Sequence, residues 1–198
     1  MNASITTVIE EPGDRAPAPE PVRLVQLFVN TVDLEDGDDA IADPRGLKAW
    51  LAEHDLLAAN SPVPTQAAHE RAVALREALR ALAYANGGHD LDPRAVDAVN
   101  EAASRARLHP LLTGPATSEM RPAAKAHAID AALGRIVAAV HGGIADGTWP
   151  RLKACERDSC RWAFYDHSRN RSGHWCSMAV CGSREKNRRA YRRRTSRT

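Results

Sequence analysis

The stretch CERDSCRWAFYDHSRNRSGHWCSMAVC, residues 155–181, holds all four cysteines of a 198-residue chain. Cys155 and Cys160 form one C-x4-C pair, and Cys176 and Cys181 form a second after fifteen intervening residues. Two equal short spacings around one loop point to a shared metal. Zinc suits four thiolates, because sulfurs at about 2.3 Å fill its tetrahedral shell and each short loop brings two of them together. The ion would be single and structural, since a closed shell leaves no position for water or substrate. His167 and His174 lie between the pairs and are weaker ligand candidates, because the thiolates already complete the shell. Four cysteines also permit three disulfide pairings. Residues 1–20 lack an apolar core and carry Glu10, Glu11, Pro12, Asp14, Pro17 and Pro19, so no secretory leader is expected. A reducing compartment favours metal over disulfide.

The formal charge of +2 conceals a division. Residues 151–198 carry 14 Lys and Arg against 4 Asp and Glu, a net of +10, which leaves −8 on the preceding 150 residues. An acidic body with a basic end implies a polyanion partner for the end and a separate task for the body. Hydrophobic content of 43% and charged content of 26% are globular values. No run of about twenty apolar residues stands out as a membrane span, so a cytoplasmic protein is expected.

Upstream of the cysteines the pattern is mainly helical. Residues 1–20 read as a disordered leader. The short run Val22, Leu24, Val25, Leu27, Phe28, Val29 is rich in β-formers and reads as a buried strand that caps the helices. Asp43-Pro44 opens a helix reaching about Ala58, with Leu47, Trp50 and Leu51 on one face. Thr65 caps a longer one, with Ala72, Leu75, Leu79, Leu82 and Ala83 inward and Arg71, Glu77 and Arg80 mostly off that face, ended by Gly87-Gly88. Asp92-Pro93 starts a third. Periodicity then fails on either side of Gly114-Pro115, where a small hairpin is expected. A fourth helix runs from near Pro122, through Ile129, Leu133, Ile136, Val137 and Val140, to Gly142-Gly143.

After Cys181, Gly182 permits a turn and Ser183 can cap a helix from about Arg184. Arg184, Arg188 and Arg192 are spaced by four and Arg189 with Arg193 forms a neighbouring ridge, so one side of this helix is positive. Beside phosphates, such groups displace condensed counterions. Lys186 and the loop residues Arg169, Asn170 and Arg171 add further donors. The aromatic residues Trp162, Phe164 and Trp175 would bury around the metal in a module otherwise too small for a core.

The run Cys155-x4-Cys160, Phe164, Asp166, Ser168-Arg169-Asn170, Ser172, Trp175-Cys176-Ser177-Met178, Cys181-Gly182, Arg184 and Lys186 resembles the CGNR zinc finger of bacterial proteins with an N-terminal ABATE domain. Two departures stand out: Ser183 where the family motif has Asn, and Gly173-His174 where two arginines are usual. Leu27-Phe28-Val29-Asn30-Thr31 resembles the N-terminal signature of the ABATE domain. There, Asn30 and Thr31 either bond local backbone at a strand end or line a small-molecule pocket. Pattern and resemblance together give a mainly α (α+β) chain: leader 1–20, ABATE-like helical domain 21–148, and over 149–198 a CGNR-type four-cysteine zinc module, treble-clef-like by analogy, ending in a basic helix. The resemblance also implies a stress-responsive transcription regulator.

The function expected is therefore DNA binding by the zinc module, at the nucleoid, with the body sensing a small-molecule effector or forming a homodimer. Binding of structured RNA or ribosomes would use the same charges. No Gly-rich phosphate loop, nucleophile elbow or His-Glu metal motif suggests an enzyme.

Overall fold

The computed structural model describes residues 15–188. Its first element, α1 (Val22–Val29), is a helix and corrects the expected strand. Val22, Val25, Gln26 and Val29 are all buried, at i, i+3, i+4 and i+7, a set that only the helical period places on one side. A strand would have turned alternate members to water. Burial against neighbouring helices overrides the modest β preference of valine.

The next helices follow local rules. Asp43 caps α2 (Pro44–Glu53) by accepting from the Arg45 and Gly46 amides at 2.7 and 2.8 Å. The helix stops before Ala58 because the chain turns at Asp55, in the left-handed region at φ +56°. Thr65 caps α3 (Gln66–Ala85), and Asp92 caps α4 (Pro93–Arg105) through the Arg94 amide. The expected hairpin forms from β1 (His109–Gly114) and β2 (Thr117–Arg121), antiparallel, with Leu111 opposite Glu119.

Helix α5 (Ala128–Ala145) starts later than Pro122 and runs through Gly142-Gly143. Those glycines serve packing, not termination. A Cβ on Gly143 would lie 2.4 Å from Val22 Cγ2, so the bare backbone is what lets α5 approach α1. The helix ends at Asp146, just before Gly147 at φ +78°. By length and composition α5 could span a membrane, but half of it is buried, with Ile129, Leu133, Ile136, Val137 and Val140 in the core.

Helix α3 lies at the centre, touching α1, α2, α4 and α5. Its own Leu75 and Leu79 are fully buried, together with Leu47, Leu51 and Ile136 from its neighbours. Arg80, expected off the apolar face, is buried with Arg76. Their hydrogen bonds explain how. Arg76 donates to Thr31 Oγ1 and pairs with Asp39, while Arg80 donates to the carbonyl oxygens of Val29 and Arg161.

The join to the cysteine region is a packed seam. A 3-10 turn (Trp149–Arg151) leads into β3 (Leu152–Ala154), paired antiparallel with β4 (Ala163–Tyr165). Side chains alternate across this hairpin. Leu152, Ala154, Ala163 and Tyr165 enter the helical core, whereas Phe164, on the opposite face, packs among the cysteines.

Candidate metal centre

The loop from β3 to β4 carries the first cysteine pair. Cys155 follows β3 directly, its amide donating to the Trp162 carbonyl at 2.9 Å. The Cys160 and Arg161 amides turn back onto the Arg157 carbonyl, and Arg161 takes the left-handed backbone, φ +50°, that closes the knuckle. The second pair sits where a helix begins. Ser177 Oγ accepts from the Val180 amide, and Met178–Gly182 forms a π turn that continues as helix over 183–188. The cap is thus Ser177, not Ser183, whose hydroxyl instead donates to the Met178 carbonyl inside the helix. Cys181 therefore belongs to the helix itself, which completes the treble-clef-like arrangement.

The four sulfurs lie within 4.8 Å of one another. Cys176 Sγ is 3.6 Å from Cys160 Sγ and 3.5 Å from Cys181 Sγ. Sulfurs about 2.3 Å from one tetrahedral ion stand roughly 3.8 Å apart, whereas a disulfide needs about 2.05 Å. All four thiols are free, and the cluster fits one zinc ion. The Cys155 thiol is held low because Cys160, then Cys176, donates to its thiolate; Cys160 and Cys176 are pushed up, first by the bonds they donate to Cys155. Further ionisation would crowd negative sulfurs together, and a divalent ion supplies the compensating charge. Phe164 is fully buried against the cluster, with Trp162 and Trp175 partly buried beside it.

The two histidines are engaged elsewhere. His174 Nδ1 is 2.6 Å from Glu156 Oε1, and His167 Nε2 points to the Ala16 carbonyl at 3.1 Å. Of residues 15–20, expected within the disordered leader, 15–17 are held against the module, while the Ala18 amide donates to Gln26 of α1. Arg15 donates to the Cys176 and Trp175 carbonyls at 2.6 and 2.7 Å and covers the Phe164 ring. Three separate carbonyl and aromatic acceptors give that strap its fixed position.

Other residues of the module were not foreseen as a unit. Lys153 and Asp166 form a buried ion pair at 2.9 Å, and Lys153 also donates to the Arg171 and Gly173 carbonyls. Burial would raise the Asp166 carboxyl. Hydrogen bonds from Ser168, Lys153 and the Gly173 amide outweigh it and hold the group well below the usual carboxylate range. A Cβ on Gly173 would sit 2.9 Å from Asp166 Cγ, so the bare glycine is what lets the loop close on this carboxylate.

Of the residues singled out in the sequence for nucleic acid, Arg169, Asn170 and Arg171 are exposed in the loop, and Arg184, Lys186 and Arg188 are exposed on the helix. Arg188 pairs with Glu185 at 2.9 Å. Arg189, Arg192 and Arg193 lie outside the described residues.

Asn30 and Thr31, expected to bond local backbone or to line a pocket, are both buried and hydrogen-bonded within the protein. Asn30 is 3% exposed, and its amide donates to the Ala163 carbonyl at 2.8 Å and accepts from the Ala163 amide at 2.7 Å. Thr31 Oγ1 bonds Phe28 and Arg76. Both serve the seam or the helix end, and the local bonding expected of Asn30 is replaced by a bond across 133 residues of chain.

A model of the ABATE family, described as "Putative stress-induced transcription regulator", matches residues 22–147. The CGNR zinc finger model matches residues 151–194. These are regulatory and zinc-finger families, not enzyme families. No curated protein matches the chain.

Proposed function

Because the chain belongs to the ABATE family and carries a CGNR zinc finger, we propose that it regulates transcription by gripping duplex DNA with its metal-held C-terminal module. The observation that carries this reading is the seat of the basic helix. Cys181 joins its first turn to the thiol cluster, so Arg184, Lys186 and Arg188 project from a frame that one ion fixes. A fixed array of cations gains counterion-release free energy on phosphates without first ordering itself. Arg169 and Arg171 extend the array from the adjacent loop, where Asn170 adds a neutral amide donor. Arg189, Arg192 and Arg193 add charge further along the sequence.

Trp162 and Trp175 pack against the thiols, which favours backbone contact with a duplex over base stacking on single-stranded RNA. The body, fused to the module through the β3–β4 hairpin, is the part suited to an effector or to a second copy of the chain. Such a regulator works in the cytoplasm, at the nucleoid.

The test is fluorescence anisotropy of zinc-loaded protein with a mixed-sequence duplex across a salt series. Binding that falls steeply with salt is expected, with Arg184→Ala or Arg188→Ala each flattening the logarithmic slope by about one contact. Absence of duplex binding at low salt, or preference for RNA in direct competition, defeats the reading.

A further inference from the structure

Two arginines, one from the first knuckle and one from the helix that follows the second, converge on one carboxylate of the body. Arg157, between the first two cysteines, forks onto Glu35 with Nη1 to Oε2 at 2.8 Å and Nη2 to Oε1 at 3.0 Å. Arg184, on the helix after the last cysteine, donates to the same Oε1. Arg157 also reaches toward Cys181 Sγ at 4.0 Å, so the thiol cluster is what brings these guanidinium groups together. Two guanidinium groups around one oxyanion, one of them bidentate, is the geometry that binds a phosphate.

The carboxylate is presented by a loop that holds its own shape. Asp33 Oδ1 accepts from the Glu35 and Asp36 amides, the Asp33 amide donates to the Asp38 carbonyl, and Val32 bridges to Asp39. Residues 33–39 include Asp33, Glu35, Asp36, Asp38 and Asp39, so the tip is strongly acidic and would be repelled by nucleic acid drawn to the module. The Glu35 carboxyl is lowered, first by its hydrogen bond from Arg157. Its pairs are nevertheless partly exposed, with side-chain accessibilities of 36% for Glu35, 21% for Arg157 and 53% for Arg184. Exposed pairs are weak enough to exchange partners.

We propose that Arg157 and Arg184 form a phosphodiester-binding site, and that Glu35 occupies it as an internal phosphate mimic which duplex DNA displaces. The inference rests on the DNA-binding reading and adds Arg157 to it, together with a brake built into the body. The loop then links the two functions of the chain: anything that moves residues 33–39 changes how readily the site opens.

The test uses full-length, zinc-loaded protein and the same duplex anisotropy assay, comparing wild type with Glu35→Gln, Glu35→Ala, Arg157→Ala and the double variant Glu35→Gln/Arg157→Ala. Losing two competing exposed pairs should tighten binding about 2- to 30-fold. Because duplex DNA displaces Glu35 from the wild type as well, the same phosphates are engaged in both, and the salt slope should change by less than the roughly 0.9 of one contact. Arg157→Ala should weaken wild-type binding and cancel the gain in the double variant. Zinc content and melting temperature of each variant confirm that the fold is retained, and two substitutions at Glu35 guard against one failing to fold. Wild-type binding with unchanged or weaker binding in both Glu35 variants overturns this site alone. No binding by any variant at low salt overturns it together with the regulator reading.

Discussion

Asn30→Ala is the substitution that most directly probes how the body and the metal module are joined. The Asn30 amide both donates to and accepts from the Ala163 backbone, at 2.8 and 2.7 Å, and both residues are buried. Truncation removes both bonds. The Ala163 carbonyl keeps the Gln26 amide at 3.2 Å, but the Ala163 N–H is left in the core without a partner. An orphaned buried donor costs about 1–3 kcal/mol and the second lost bond about 1, so a loss of about 2–4 kcal/mol is expected. With a urea dependence of about 2 kcal/mol per molar, the unfolding midpoint should fall by about 1–2 M. Tryptophan fluorescence suits the measurement, since Trp50 and Trp149 report the helical core while Trp162 and Trp175 report the metal module. With zinc in excess, both signals should move to lower urea together. Asn30→Asp should be nearly as damaging, because it keeps the acceptor but turns a charged oxygen on the Ala163 carbonyl. A loss below about 0.5 kcal/mol, the scale of an ordinary surface change, would refute the reasoning. So would unchanged stability with loss of a bound small molecule, which is what a pocket residue would give.

Three further outcomes follow from the geometry. Chelating the metal from the loaded protein should strip amide protection from the cysteine loops and from residues 178–188 while β3 and β4 stay protected, because Leu152, Ala154, Ala163 and Tyr165 are held by the helical core; hydrogen exchange that shows the hairpin opening first would contradict this. Asp166→Asn should cost about 3–5 kcal/mol at neutral pH by stranding Lys153. Since the folded pKa of Asp166 lies below its ordinary value, its contribution is complete above about pH 4 and is lost as pH falls through the folded pKa, so the gap between wild type and variant should close only below about pH 4. Urea titrations between pH 2 and 6 check this, and a gap that closes above pH 5 would be inconsistent with it. Gly143→Ala should destabilise by about 1–3 kcal/mol despite better helix propensity, because its Cβ would meet Val22 at 2.4 Å; a rise in melting temperature would mean that the glycine marks a helix end after all.

What could be read from the chain alone was whatever depends on neighbours in sequence. Two equal cysteine spacings mark the metal centre because both knuckles are built from short loops. Asp43-Pro44, Thr65 and Asp92-Pro93 mark helix starts because a cap bonds amides two or three residues away. Gly114-Pro115 marks a hairpin for the same local reason. Where the partner lies far along the chain, the same residues mislead. The run Val22–Val29 is apolar enough for either period, and only contact with α3 and α5 makes it a helix. Gly143 looks like a stop signal until Val22 is placed beside it. The seam also needed tertiary structure, because Asn30 answers to Ala163, Arg80 to Val29 and Arg161, and Glu35 to Arg157 and Arg184. Hydrogen bonds and ion pairs across such separations leave no period or spacing in the sequence. They become visible only when burial has brought the two groups together.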